Sequence, residues 1–270
     1  MNENQHEHEE LTRAVEPEVQ KMTAIQRITA VFAAPTELAK NIKAYPVVGI
    51  PLLLVMILNL APVPISAPYT AMLFEEQQNI MIERAIELGH DPARLGFAQA
   101  GADFYGDANP IAGINMNFLA IVNAIIGVPI LAILGTLAIW VLTKITKGKA
   151  TFAQNFSLYL HSMILVSLGS IVSISIMLAT GSLLDMTSLA AFIMPHGNMS
   201  NMMFNALQLT NIFNVWATII IFIGVKVLNE CTAKAAIITS VYFIGYIALL
   251  SWLAAMPYSD NSINAIIAFS

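Results

Sequence analysis

Cysteine is all but missing from this chain of 270 residues: Cys231 stands alone. A single thiol excludes an internal disulfide framework, so nothing covalent staples the fold. Charge is scarce as well. Only 11% of the residues are Asp, Glu, Lys or Arg, where a soluble domain carries about a quarter, and the mean hydropathy is +0.71. Such a chain needs lipid as its solvent. The formal net charge of −5 gives no electrostatic reason to expect nucleic acid as a partner.

A cleavable leader is not visible. The first 45 residues are polar or amphipathic, and the first apolar block opens only at Pro46, too late for the apolar region of a signal peptide. The expectation is a retained N-terminus, with the first span as an uncleaved anchor.

Catalytic signatures are missing too. The sequence has no G-x-S-x-G, H-E-x-x-H, P-loop or G-x-G-x-x-G pattern. Intramembrane proteolysis needs a Ser–His pair, an Asp–Asp pair or zinc ligands on spans, and His161, about two turns into an apolar block, has no evident partner. No carboxylate or lysine occupies the centre of a block, which argues against a proton- or sodium-coupled pump. These absences lead to the expectation of a protein that is not an enzyme and takes no cofactor.

What the sequence does have is length of apolar run. Five blocks, at about 46–65, 118–142, 156–179, 207–228 and 235–256, reach the roughly 20 residues that a spanning helix requires. In hydrocarbon the backbone must satisfy itself, so runs this long read as helices. Pro46 and Pro51 fall in the opening turns of the first block, where a missing N–H costs little. Pro129 lies inside the second and is expected to kink it. Lys and Arg then set the orientation. Arg13, Lys21, Arg27, Lys40 and Lys43 precede the first block, Lys144, Lys147 and Lys149 follow the second, and Lys226 and Lys234 flank the fourth-to-fifth connection. Only Arg84 and Arg94 fall on the other side, far from any block end. The positive-inside rule puts the N-terminus in the cytoplasm and the C-terminus outside. The predicted class is an all-α membrane protein with five transmembrane helices, and the compact loops favour a bacterial inner membrane.

Between the blocks lie four further segments. Residues 1–17, with His6, Glu7, His8, Glu9 and Glu10, form an acidic tail predicted to be disordered; loose metal binding there is outweighed by simple solvation. In 18–45, Val19, Met22, Ile25, Ile28 and Phe32 recur at helical spacing. Pro35 then restarts a helix with Glu37 in its first turn and Lys40 and Lys43 in its last, and with Leu38 and Ile42 facing inward. The pair reads either as helices on the inner leaflet, presenting Met22, Ile25, Ile28 and Phe32 to the membrane, or as a plug on the cytoplasmic ends of the spans. The outer loop 66–114 is acidic, and Phe74, Met81 and Ala85 support a helix from about Tyr69 to Leu88, closed by Gly89. Its carboxylates lack calcium-loop spacing, so they read as a solvated face. Residues 257–270 form an outer tail.

Inside the blocks, neutral polar residues are the candidates for function. Gln208, Asn211, Asn214 and Thr218 recur at helical spacing at the start of the fourth block, and Asn123 sits one turn from Gly127 in the second. With Gly169 and Ser173 they read as interhelical glue, or as a polar groove opening outward between the second, third and fourth spans. Met194, His196, Met199, Met202 and Met203 cluster before the fourth span. Thioethers and imidazole suit Cu(I), but in a chain with 14 methionines interfacial packing outweighs a metal site, and no metal is expected.

Two stretches carry a family resemblance. The run from Ala34 to Pro46, with Pro35, Glu37, Ile42 and Lys43, resembles the approach to the first span in bacterial members of the Ypt-interacting-protein (YIP) family, in which Lys40 and Pro46 also fall on the motif. Asn211, Phe213, Trp216, Gly224 and Lys234-Ala235 are similar to the family's pattern around the fourth and fifth spans. The resemblance covers roughly residues 25 to 256 and implies five spans with a cytoplasmic N-terminus. It implies no common activity for bacterial members; eukaryotic relatives are trafficking adaptors that associate with Rab-type GTPases and membrane-shaping proteins. Departures are Leu38 in place of an aromatic, Asn211 in place of an acid, and a short acidic tail that weakens a GTPase-binding role. The reading is a non-enzymatic membrane-organising or adaptor protein, with lipid, a second copy or other membrane proteins as partners. The alternative is a passive transporter or channel for a small neutral solute, metal ion or lipid, using Asn123, Gln208, Asn211 and Asn214.

Overall fold

The chain's computed structural model describes residues 19–63, 67–91, 121–197 and 199–259. The acidic tail 1–17, the loop stretch 92–114, the ends of the first block at 64–65 and of the second at 118–120, and the tail beyond 259 lie outside the described residues. In order the helices are α1 (Ala24–Ala33), α2 (Pro35–Ala44), α3 (Gly49–Leu60), α4 (Ala67–Glu87), α5 (Asn123–Ile145), α6 (Phe152–Thr180), the short α7 (Ala190–Ile193), α8 (Met202–Leu209), α9 (Ile212–Asn229) and α10 (Thr232–Ala255). A 3₁₀ turn, Met256–Tyr258, extends α10. Among the described residues the only β pairing is an isolated bridge between Ser188 and Asn211.

Four of these helices are long and apolar enough to cross a membrane: α5, α6, α9, and α10 with its 3₁₀ turn. The first block behaves differently. Its helix α3 has 12 residues, about 18 Å at 1.5 Å per residue, and a turn at 61–63 follows it. Pro46 stands before this helix, and Pro51 falls in its first turn, where the missing N–H is harmless.

Local chemistry explains the boundaries. Thr23 and Thr151 open α1 and α6 with full capping boxes, each closed by a glutamine three residues on. This starts α6 at Phe152, four residues before the block read from hydropathy. Gly181, at φ +66°, ends α6 in the left-handed region, and Gly89, at φ +78°, closes α4 as expected. In α5 the turn ahead of Pro129 widens into a π-helical turn, Asn123–Gly127, and the Val128 N–H reaches back to Asn123 O. Proline's missing N–H is absorbed by that wider turn. The fourth block is broken as well. Asn211 accepts from Asn214 N at 2.9 Å and caps α9, so Gln208 belongs to the separate helix α8 and shares no helical face with Asn211, Asn214 and Thr218.

The long α6 is the hub, touching α1, α2, α3, α4, α5 and α9. Small residues permit the closest approaches. A methyl group on Gly169 would overlap the Phe213 ring, and one on Gly224 would overlap Leu158. The largest core lies where the α1–α2 hairpin seats against α6 and α9: Val31, Leu38 and Ile42 meet Leu158, Leu160, Ile220, Val225 and Leu228. Val31, Leu38 and Ile42 are fully enclosed, and together contribute on the order of 5 kcal/mol as an upper figure. The hairpin is therefore a plug on the bundle. Of the stripe expected to lie on the membrane surface, Met22 and Ile28 are half-buried, while Ile25 (76%) and Phe32 (46%) are exposed.

Candidate functional site

At one end of the bundle, the connection α5–α6, the connection α9–α10 and the α2–α3 corner meet. Asn229, fully buried, accepts from Ala150 N at 3.1 Å and donates to Val225 O at 2.9 Å. The next residue, Glu230, takes a left-handed conformation at φ +54°, which turns the chain into α10. Its carboxylate accepts from Lys43 Nζ at 2.6 Å and Lys149 Nζ at 2.9 Å. Lys234 Nζ donates to Lys147 O at 2.8 Å, and Gln154 Nε2 to Lys43 O at 2.8 Å. Hydrogen bonds to the two lysines, then their charges, lower the Glu230 pKa to about 2, and Glu230 in turn raises that of Lys149.

The same end contains the hairpin's polar core. Asn41 Nδ2 donates to Gln20 O at 2.7 Å and its Oδ1 accepts from Met22 N at 3.4 Å, fastening the lead into α1. Ser157 Oγ donates to Val47 O at 2.8 Å, and His161 Nδ1 donates to Ser157 O at 2.6 Å. Arg27 is only 3% exposed. It donates through Nη2 to Tyr45 O at 2.7 Å, and burial lowers its pKa. His161 and Arg27 line one cavity of about 330 Å³. From the sequence Arg27 reads as a topogenic charge on the polar side of an interfacial helix, near anionic headgroups, and not as a buried group.

At the opposite end a second network centres on Asp185, which is buried. Its carboxylate accepts from Thr187 N at 2.9 Å, Thr187 Oγ1 at 2.6 Å, Ser173 Oγ at 3.2 Å and Asn211 Nδ2 at 3.4 Å. Gln208 Oε1 accepts from Asp185 N at 3.2 Å. These bonds pin the α6–α9 connection. Sequence reasoning missed Asp185 and Glu230 as organisers. The available signal was their isolation, since they are the only carboxylates between Asp107 and Asp260.

The residues expected to form one polar groove are dispersed. Asn123 is exposed on the π turn, and Gln208 and Asn211 are engaged with Asp185. Asn214 donates to Leu209 O at 2.7 Å, and Thr218 back to Asn214 O at 2.8 Å. Asn214 and Thr218 do share a cavity of about 70 Å³, but it lies between α6, α9 and α10, where Tyr159, Tyr242 and Tyr246 line it. Tyr242 Oη donates to Tyr159 Oη at 3.1 Å there. The methionine cluster is spread too. Met202, Met203 and His196 are exposed, and Met194 is half-buried. Met199 Sδ accepts from Tyr258 Oη at 4.0 Å, joining the end of α10 to this loop.

The family model of the Yip1 domain matches residues 29–255, from within α1 to the last residue of α10. The chain belongs to the Yip1 domain family. No curated protein and no solved structure shows significant similarity to it. As a Yip1-family protein with several apolar helices it is a membrane protein in contact with lipid. Its motif residues serve packing and closure. Pro35 opens α2 and Lys40 pairs with Glu37 at 2.8 Å. Phe213 fills the space left by Gly169, Gly224 admits Leu158, Lys234 closes the α5–α6 loop, and Trp216 is partly exposed.

Because the carboxylate's pKa is lowered on folding, Glu230 contributes stability above its ordinary value of 4.5, and loses it as pH falls toward about 2. Glu230→Gln should therefore melt below the parent protein at neutral pH. That gap should shrink with added salt and close in acid, as read by thermal denaturation in detergent. A gap independent of pH would contradict the ion-pair account.

Proposed function

We propose that this Yip1-family protein is a non-enzymatic membrane-organising or adaptor protein of the bacterial inner membrane. It crosses the bilayer five times, with its N-terminus in the cytoplasm and its C-terminus outside. In this reading α3 is the core of the first span. Two contacts support that assignment. Val47 meets Ser157, and Asn59 Nδ2 donates to Ser167 Oγ at 2.9 Å, so α3 starts at the basic end and runs beside α6 in the same direction. The lysine-rich end is then the cytoplasmic one, and the organisation is 18–45 as a cytoplasmic hairpin and 46–256 as the membrane unit.

The observation that carries the adaptor reading is the division of α1 into two faces. Arg27, Ala30 and Val31 are buried on the bundle, while Ile25 and Phe32 remain exposed on another face. An apolar stripe held rigidly at the water boundary is suited to a lipid surface, a second copy or another membrane protein. The transporter reading has less support. Gln208, Asn211, Asn214 and Thr218 bond within the protein, and the cavity at Asn214 is far below the several hundred Å³ common for small-molecule sites.

Sidedness is tested by reporters fused to each end: the N-terminal one should be active only in the cytoplasm and the C-terminal one only outside. Both in one compartment would refute the five-span reading. The adaptor role is tested by Ile25→Gln with Phe32→Gln. The double variant should fold and insert like the parent protein and lose co-purifying membrane partners in mild detergent. Retention of every partner would overturn the role assigned to that face.

A further inference from the structure

Arg27 is the least satisfied charged group among the described residues. Its Nε and Nη1 atoms are buried and donate to nothing there, yet a guanidinium stays protonated in a protein. A buried cation with free N–H groups is costly unless an anion meets it. The cavity beside it supplies room for one, with about 330 Å³ bounded by Arg27, Lys21, His161 and the opening residues of α1, Thr23 and Ala24. The start of a helix carries partial positive charge, which favours an anion. The remaining wall is apolar, with Ile28, Ile50, Leu54 and Ile164 among its residues. One side of the cavity is therefore cationic and the other greasy, in a chain whose solvent is lipid.

We propose that this cavity binds the phosphodiester of an anionic phospholipid, with the buried Arg27 guanidinium as the cation that the phosphate pairs with. Lys21 and the α1 terminus add positive charge, and the glycerol and first acyl carbons lie along Ile50 and Leu54. A guanidinium–phosphate pair is charge-assisted and stronger than a neutral hydrogen bond, and the apolar wall distinguishes a lipid from a free anion. The ligand would cement α1 to α3 and α6. This rests on the membrane reading above and deepens it, but it requires neither a protein partner nor a particular sidedness.

The test uses the full chain in detergent, with phosphatidylglycerol, diacylglycerol of the same acyl chains, and inorganic phosphate as separate probes. Bound lipid is counted by native mass spectrometry and competition. The parent protein should retain phosphatidylglycerol and ignore diacylglycerol, and millimolar phosphate should not displace the lipid. Arg27→Gln should bind phosphatidylglycerol about tenfold more weakly or worse. Leu54→Trp leaves Arg27 in place and fills the apolar side, so it keeps the test decisive if Arg27→Gln misfolds; it too should lose the lipid. Equal binding of diacylglycerol, displacement by inorganic phosphate, or unchanged lipid binding in the folded variants would each overturn the proposal. Because binding is read without a partner, its failure is distinct from failure of the adaptor reading.

Discussion

The seating of the α1–α2 hairpin on α6 and α9 is the interaction on which the rest of the structure depends. Leu38 and Ile42 on α2, with Val31 on α1, bury in this seat, and they join the N-terminal hairpin to α6 and α9. Closing that seat fixes three other features. The α2–α3 corner is placed so that Ser157 binds Val47, Lys43 reaches Glu230 across 187 positions of sequence, and Arg27 is carried into the interior beside His161. The surface pairs are exposed and worth little individually. Their role is register: they hold the loop ends over a hydrophobic seat that supplies the energy.

Most buried polar side chains elsewhere follow one rule, that a group removed from water must find a partner inside. Thr136, Thr143 and Ser251 return their hydroxyl protons to the carbonyl four residues earlier, which leaves the helix surface apolar. Asn59 and Ser167 bond across α3 and α6. Asp185 gathers the α6–α9 connection, and Asn229 and Glu230 gather the opposite loops. Gln78 Nε2, Asn155 Oδ1, Thr239 Oγ1 and the Arg27 guanidinium depart from that rule. Arg27 is the one of these that carries charge, which is why it marks a site while the amides of α9 do not.

Much of the fold was legible because long apolar runs and lysine placement are coarse signals. The four spanning helices follow directly from them, the α2 helix Pro35–Ala44 follows from Pro35 with Glu37 and Lys43 at its two ends, and the family resemblance seen at Pro35, Phe213 and Gly224 agrees with the Yip1 match. Finer boundaries were not read from hydropathy, although they were encoded: Thr-x-x-Gln at 23–26 and 151–154 marks two helix starts, and Asn211 as a cap breaks what reads as one continuous block. The groove was misassigned for the same reason, since helical spacing was applied across a cap that separates Gln208 from Asn214. The face of α1 could not be chosen from periodicity alone. Ile25, Ile28 and Phe32 form the more hydrophobic stripe, but the small Ala30 and the long Arg27 let a neighbouring face approach the bundle more closely.

The claim that the hairpin is a seated part of the bundle, rather than a helix pair resting on lipid, is tested most directly by thiol accessibility. With Cys231 replaced by serine, Ile42→Cys and Ile25→Cys are labelled separately by a water-soluble maleimide in membranes. The seated hairpin predicts rapid labelling at position 25 and strong protection at 42, with protection lost on denaturation. Equal labelling at the two positions, before and after denaturation, would contradict it.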